Sequence, residues 1–316
     1  MMDATGDTRP TPPPAARADA PDRTLRIAGR PRRGQMVAAV ILVLILIPVV
    51  RSLVTNKAFG WSTVGHYFFT SSIMRGVLTT LELTAASMVV ALVLGIVLGI
   101  GRLSRNPVVA SVSWLYVWVF RSVPLLVQLI VWYNIAALYP HLRLGIPGVV
   151  TVANLNLNSL IGAFTAAVLG LGLHEVAYIG EIVRGGVMGV DKGQEEAGAS
   201  LGLSPFQVLR IVVLPQAIRT IIPALGNETI NTIKASALVS VLTLSDLFYS
   251  VQKIYDINYK VIPLLIVACI WYLIIVSILS VFQSMLERHY GRGFRVSTAR
   301  RVLRPRFSLP SQGESR

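Results

Sequence analysis

Predominantly apolar runs of about twenty or more residues recur along the whole chain, and a run of that length fits the ~30 Å hydrocarbon core of a bilayer as one helix. Six are delimited: Met36 to about Val54, Gly76–Ile100, one within Val108–Leu138, Leu160–Ile182, about Ile218–Leu244, and Val261–Phe282. In hydrocarbon every backbone N–H and C=O must find its partner within the protein, so such runs fold as helices. The period-two alternation of membrane barrel strands is missing from them. With 53% hydrophobic and 14% charged residues, the composition excludes an ordinary soluble domain. The expected class is an all-α, polytopic helical membrane protein with about six spans. The third run is too long for one upright helix at a 1.5 Å rise. Arg121 and Pro124 divide it, so Val108–Phe120 is expected to lie shallow or tilted, with the crossing starting near Arg121.

The charges gather around these runs. Lys and Arg outnumber Asp and Glu 29 to 15. Seven basic residues precede Met36 and eight follow Phe282, against five in the segments that would then lie outside. This bias puts both termini, Arg102, Arg105 and the 184–219 connection on the cytoplasmic side of the cell membrane. No aromatic–basic platform accompanies the charge, so nucleic acid is not an expected partner. The single cysteine, Cys269, lies in an apolar run, which excludes an internal disulfide and offers no thiolate metal site. Residues 1–35, rich in Pro, Ala, Arg and Asp, read as a disordered cytoplasmic tail, and 291–316 as a basic one. A cleaved leader is not expected, because the first apolar run starts only at Met36. Residues 36–75 hold an additional first span and an outer interfacial segment around WSTVGHYFF, whose aromatic rings suit that boundary. Residues 76–290 form the functional core.

Between the fourth and fifth runs lies a polar island, residues 191–215, DKGQEEAGASLGLSPFQVLRIVVLP. Asp191 with Gln194 has the form of a capping box, and Gly202 suits a left-handed helix end. Ser204 then caps a second helix, with Pro205 at its first position and Gln207 at its third. Pro215 is expected to break or bend the chain at the end of this second arm. The spacing predicts helix, elbow, helix, with Glu195 and Glu196 on the first arm and Phe206 near the turn. Such a knob fits a groove on a partner protein; a plain amphipathic connector at the membrane surface fits the spacing equally.

Glu196-Ala197-Gly198, three residues, Gly202, nine residues, then Val212-Val213-Leu214-Pro215 closely resembles the EAA motif of ABC importer permeases. Gly198 replaces the usual Ala and Val212 the usual Ile. FRSVPLLVQLIVWY (120–133) resembles the FRGTPLLVQL stretch of the polar amino acid importer permeases. HEVAYIGEIVRGGVMGVDKGQ (174–194) and LPQAIRTIIPALGNETINTIKASALVS (214–240) resemble two further signatures of that family, in the same order. One departure bears on substrate: Ala237 stands where the family has Ser, leaving Ser236 as the nearby hydroxyl. The resemblance implies a type I ABC importer transmembrane-domain fold. It implies that Glu195, Glu196, Ala197, Gly202, Leu214 and Pro215 couple to a separate ATPase subunit. It further implies a second permease subunit, identical or related, and an extracytoplasmic substrate-binding protein. The chain has no G-x-x-x-x-G-K-[ST] loop. It is therefore expected to hold no cofactor and not to be an enzyme, with ATP and Mg used by the partner.

Ionisable groups within spans line a pathway or pair with one another. Asn227, Asn231 and Lys234 follow i, i+4, i+7 with Glu228 beside them; His174, Tyr178 and Glu181 do the same with Glu175 adjacent. An amino acid zwitterion needs one cationic and one anionic binder, and these stripes supply both. The candidate pathway is thus Glu175, Tyr178, Glu181, Asn227, Glu228, Asn231, Lys234 and Ser236. The bland alternative is mutual neutralisation, Glu228 with Lys234 or Glu181 with Arg184. The leading expectation is the permease subunit of an ATP-driven polar amino acid importer in a prokaryotic cytoplasmic membrane. The alternatives are an ion-coupled secondary amino acid transporter and a non-transporting anchor that uses only the elbow.

Overall fold

The structure, a computed structural model, describes residues 33–146 and 150–290. Most of both expected tails lies outside the described residues. The chain divides into two units, residues 1–56 and 57–316. The first holds helix α1 (Arg33–Thr55), an apolar helix of 23 residues with Pro48 inside it. At 1.5 Å per residue it is long enough to cross a bilayer.

The second unit begins with a 3₁₀ turn (Lys57–Phe59) and α2 (Trp61–Phe68). Gly60 links them at φ 54°, where a Cβ would stand 2.7 Å from Pro263 Cγ. The long helix α3 (Ser71–Arg102) comes next, starting five residues before the expected Gly76. Then α4 (Pro107–Ser122) and α5 (Leu125–Tyr133) meet at 101° across Val123 and Pro124. Pro124 cannot continue the ladder, and the residue before a proline avoids the α region. The break falls where the sequence puts it. No single long helix runs on from Arg121, since α5, which follows the break, has nine residues.

A one-turn helix, α6 (Ile135–Leu138), leads into an unexpected antiparallel hairpin of β1 (His141–Ile146) and β2 (Val150–Asn156). Another one-turn helix, α7 (Leu157–Leu160), precedes α8 (Ala163–Met188), which starts later and runs longer than expected. Two short arms come after it, α9 (Lys192–Ser200) and α10 (Pro205–Gln207). A π-helical stretch (Val208–Val213) then joins α10 to α11 (Leu214–Ala235), which continues as a 3₁₀ segment, Ser236–Leu242. Of the expected break or bend at Pro215, the break is absent: the π-helical stretch runs directly into α11. Proline in the first turn of α11 lacks only a donor that the wider π turn leaves unused. Gln216 Nε2 donates to the Val212 carbonyl at 2.9 Å, satisfying one acceptor there. Last come α12 (Leu247–Asn258), capped by Asp246, and α13 (Val261–Tyr290). Sequence patterning does not reveal α12. Among the described residues, five helices are long and apolar enough to cross a bilayer, or six if α4 and α5 count as one crossing.

The pairing of α3 with α8 organises the unit. At Gly95 a Cβ would stand 2.6 Å from Ile179 Cγ2, and at Gly99 2.7 Å from Val183 Cβ. The glycines let two backbones approach closely enough to replace side-chain bulk with direct contact. Gly186 does the same for Ile221 of α11. One buried cluster joins Met88, Val176, Ile179, Val213, Ala217 and Ile221. A second ties α2, α3, α12 and α13 through Ile73, Leu247, Leu264 and Val267. Trp271 Nε1 pins α2 to α13 by donating to the Phe68 carbonyl at 3.0 Å.

Candidate functional site

The polar island folds into the expected elbow. The Asp191 side chain caps α9 by accepting from Gly193 N–H at 2.7 Å, and the anticipated capping box with Gln194 does not form. α9 closes with two crossed backbone bonds, Leu203 N–H to Gly198 O at 3.2 Å and Gly202 N–H to Ala199 O at 2.9 Å. This is the Schellman ending, and it requires the left-handed φ of 80° found at Gly202. Ser204 and Gln207 make both bonds of their capping box: Ser204 N–H donates to Gln207 Oε1 at 2.8 Å, and Gln207 N–H to Ser204 Oγ at 3.4 Å.

Gly198 is buried against Val208, whose Cγ2 would lie 3.1 Å from an added Cβ. Glu195, Glu196 and Ala197 are exposed on α9, as are Leu214 and Pro215 at the start of α11. At the tip, Leu201 is 82% and Phe206 68% exposed. Two large apolar side chains thus project from a capped turn that follows the acidic pair Glu195 and Glu196. The buried side of the elbow, Val208 with Leu203, belongs to the same apolar cluster as α3, α8 and α11. A displacement of the tip is thereby linked by packed contacts to three of the spans.

On α11, Asn227, Asn231 and Lys234 share one exposed face, as their spacing requires. Among the described residues none of these three side chains has a hydrogen-bond partner or counter-ion. Lys234 also borders an apolar cavity of about 310 Å³ with Ala237, Phe248, Cys269 and Tyr272. Glu228 is half-buried and faces Glu175 of α8, which is only 3% exposed, with Thr232 beside them. Glu228 does not pair with Lys234; its neighbour is a second carboxyl group. Ser236 is fully buried and donates to the Ile233 carbonyl at 2.7 Å, away from the exposed face.

The α8 stripe faces the α4–α5 break. Gln128 Nε2 donates to the carbonyls of Phe120 (2.9 Å) and Val123 (2.8 Å) and lies 3.1 Å from His174 Nδ1. It thereby satisfies acceptors that the end of α4 leaves open. His174 packs on Tyr178 with ring centroids 5.1 Å apart, and the Arg121 guanidinium lies 5.1 Å from the Tyr178 centroid. Glu181 accepts from Arg102 Nε at 3.0 Å and from Arg184 Nε and Nη2 at 3.0 and 2.8 Å. Both its oxygens are engaged, so it ties α3 to α8 instead of offering a free carboxylate. Sequence reasoning misses Gln128 and Thr232. A lone polar residue inside the apolar run 125–133 is the available signal for Gln128.

Comparison with known proteins agrees with this architecture. Residues 91–292 match the family described as binding-protein-dependent transport system inner membrane component. The arginine transport system permease protein ArgU of Corynebacterium glutamicum is 42% identical over 87% of this chain and 87% of its own length. The putative glutamine transport system permease protein GlnP of Rickettsia typhi is 34% identical over 68% of this chain and 91% of its own. A chain in the crystal structure of an amino acid ABC transporter with histidines is 33% identical, with a TM-score of 0.61 over 70% of this chain and 95% of that one. The matches thus extend across nearly the full length of these relatives, and the chain belongs to the family of inner membrane components of binding-protein-dependent transport systems.

Proposed function

We propose that this chain is the permease subunit of an ATP-driven importer of polar amino acids, acting beside a second permease subunit, identical or related. The carrying observation is the exposed face of α11. Two asparagines and a lysine with no partner cannot face hydrocarbon without a penalty of several kcal/mol. They need water, solute or another subunit opposite them, and a pathway between two permease chains provides all three. Relatives named for arginine and glutamine transport, and a related transporter crystallised with histidines, support amino acids as the solute class.

In this reading Lys234 attracts the carboxylate of the solute. The facing pair Glu175 and Glu228 favours its ammonium group or a cationic side chain, because two carboxyl groups in contact are relieved by a cation. Asn227, Asn231 and Tyr178 line the route. The elbow, with Glu195, Glu196, Ala197 and Gly202, seats on an ATPase subunit that supplies ATP and Mg chemistry, and Leu214 and Pro215 begin the helix that carries its motion. A binding protein delivers solute from outside. Both termini and the elbow lie in the cytoplasm of a prokaryote, as the distribution of basic residues favours.

The test is uptake by the full complex in vesicles, with candidate amino acids. Uptake that needs ATP inside and persists after ion gradients are collapsed is expected. Uptake that tracks an ion gradient without ATP would overturn the proposal.

A further inference from the structure

α3, α4 and α8 enclose a half-open cavity of about 400 Å³, walled by Arg102, Trp114, Trp118, Arg121, Tyr178 and Glu181. Its charges do not cancel. Glu181 is shared between Arg102 and Arg184. Among the described residues, Arg121 meets only the face of Tyr178 and no carboxylate. One guanidinium with a planar fork of donors is therefore left without an anion.

The rest of α4 says what kind of anion fits. Trp114, Trp118 and Arg121 follow i, i+4, i+7, with the two indole rings stacked 6.2 Å apart and both about half-exposed. About a third of the way around α4 from this stripe run Val108, Val112, Leu115 and Val119, all exposed, with Leu115 the nearest to Trp118. That apolar row is about 17 Å long at the helical rise. A small zwitterion has no use for such a row; an acyl chain does. Tryptophan and arginine together mark the level of the headgroups, and basic pockets between spans on the cytoplasmic side take anionic lipid heads. Arg102 and Arg105 at the α3–α4 connection add to the positive field there.

We propose that this cavity binds the phosphate of an anionic phospholipid, with Arg121 as its principal ligand, the two tryptophans against the glycerol region and an acyl chain along the apolar row of α4. Arg121 lies two residues before the α4–α5 break, so the lipid sits against the segment where two apolar helices meet at 101°.

The experiment uses the complete transporter reconstituted in phosphatidylcholine alone or doped with phosphatidylglycerol, extracted gently, with bound lipid counted by native mass spectrometry. Selective retention of phosphatidylglycerol is expected. Arg121→Gln should lower it about fivefold and Arg121→Lys less, as expected for one basic residue at a membrane surface. Trp118→Ala, which leaves the charge untouched, should lower it too. The unfolding midpoint of each variant in pure phosphatidylcholine should equal the wild-type value, separating lost lipid from lost fold. Equal retention of the two lipids, unchanged retention in Arg121→Gln, or complete displacement by inorganic phosphate, which would indicate a site for free anions, would each overturn the proposal. None of these readouts depends on the solute carried, so failure here would leave the transport reading standing.

Discussion

At Gly99 there is room for a hydrogen atom and little else, since a Cβ would press on Val183 at 2.7 Å. Overpacking a tight contact costs about 1–3 kcal/mol. Gly99→Leu should therefore lower the unfolding midpoint of the detergent-purified protein, while the same change at Gly185, where nothing lies within 4 Å, should leave it nearly unmoved. Lys234 makes the opposite kind of prediction. It has no partner among the described residues to lose, so Lys234→Gln should preserve stability yet reduce solute uptake at least about tenfold, the equivalent of one charge-assisted contact. Unchanged uptake would remove Lys234 from the pathway. Residues also differ in how far the sequence reveals their role. The Gly95/Gly99 spacing announces a close helix contact wherever it stands in an apolar run. The facing of Glu175 by Glu228 depends on how α8 and α11 pack, and nothing local in either segment states it.

At the scale of elements, the α4–α5 break combines a locally written cause with a distant support. Pro124 fixes its position, and Gln128, beside His174, holds the open carbonyls of Phe120 and Val123. Leaving buried acceptors unsatisfied costs about 1–3 kcal/mol. Gln128→Leu should therefore destabilise the protein by about that amount, and Gln128→Glu should not rescue it, because an ionised carboxylate has no hydrogen to donate. Thermal or denaturant unfolding in detergent reads both. The elbow is legible in the sequence because caps are short-range: Ser204, Pro205, Gln207 and Gly202 each act within one turn. The hairpin is not, because β1 has six residues and β2 seven and they pair only with each other, too short a signal beside the long apolar runs. α12 escapes for a related reason. Its twelve residues mix polar and apolar types, and its start rests on a single cap, Asp246 accepting from Tyr249 N–H at 2.9 Å.

For the whole molecule, the proposed pairing makes the isolated chain half of a working object, joined across the face of α11 that has no partner among the described residues. Asn231→Cys introduced together with Cys269→Ser should be oxidised to a disulfide between two permease chains, or to the matching span of a related subunit carrying its own cysteine, and uptake should stop when it forms. An engineered thiol at this position that reacts only with lipid-soluble reagents would place the face toward hydrocarbon and count against the pairing. The π-helical stretch from Val208 to Val213 matters at this scale too. A proline partway along a spliced helix would ordinarily act as a knuckle that soaks up a push from below. One wider coil lets Pro215 sit within a continuous helical run instead, so in the proposed mechanism the point left to flex between Phe206 and Asn231 is Pro223, the proline inside α11.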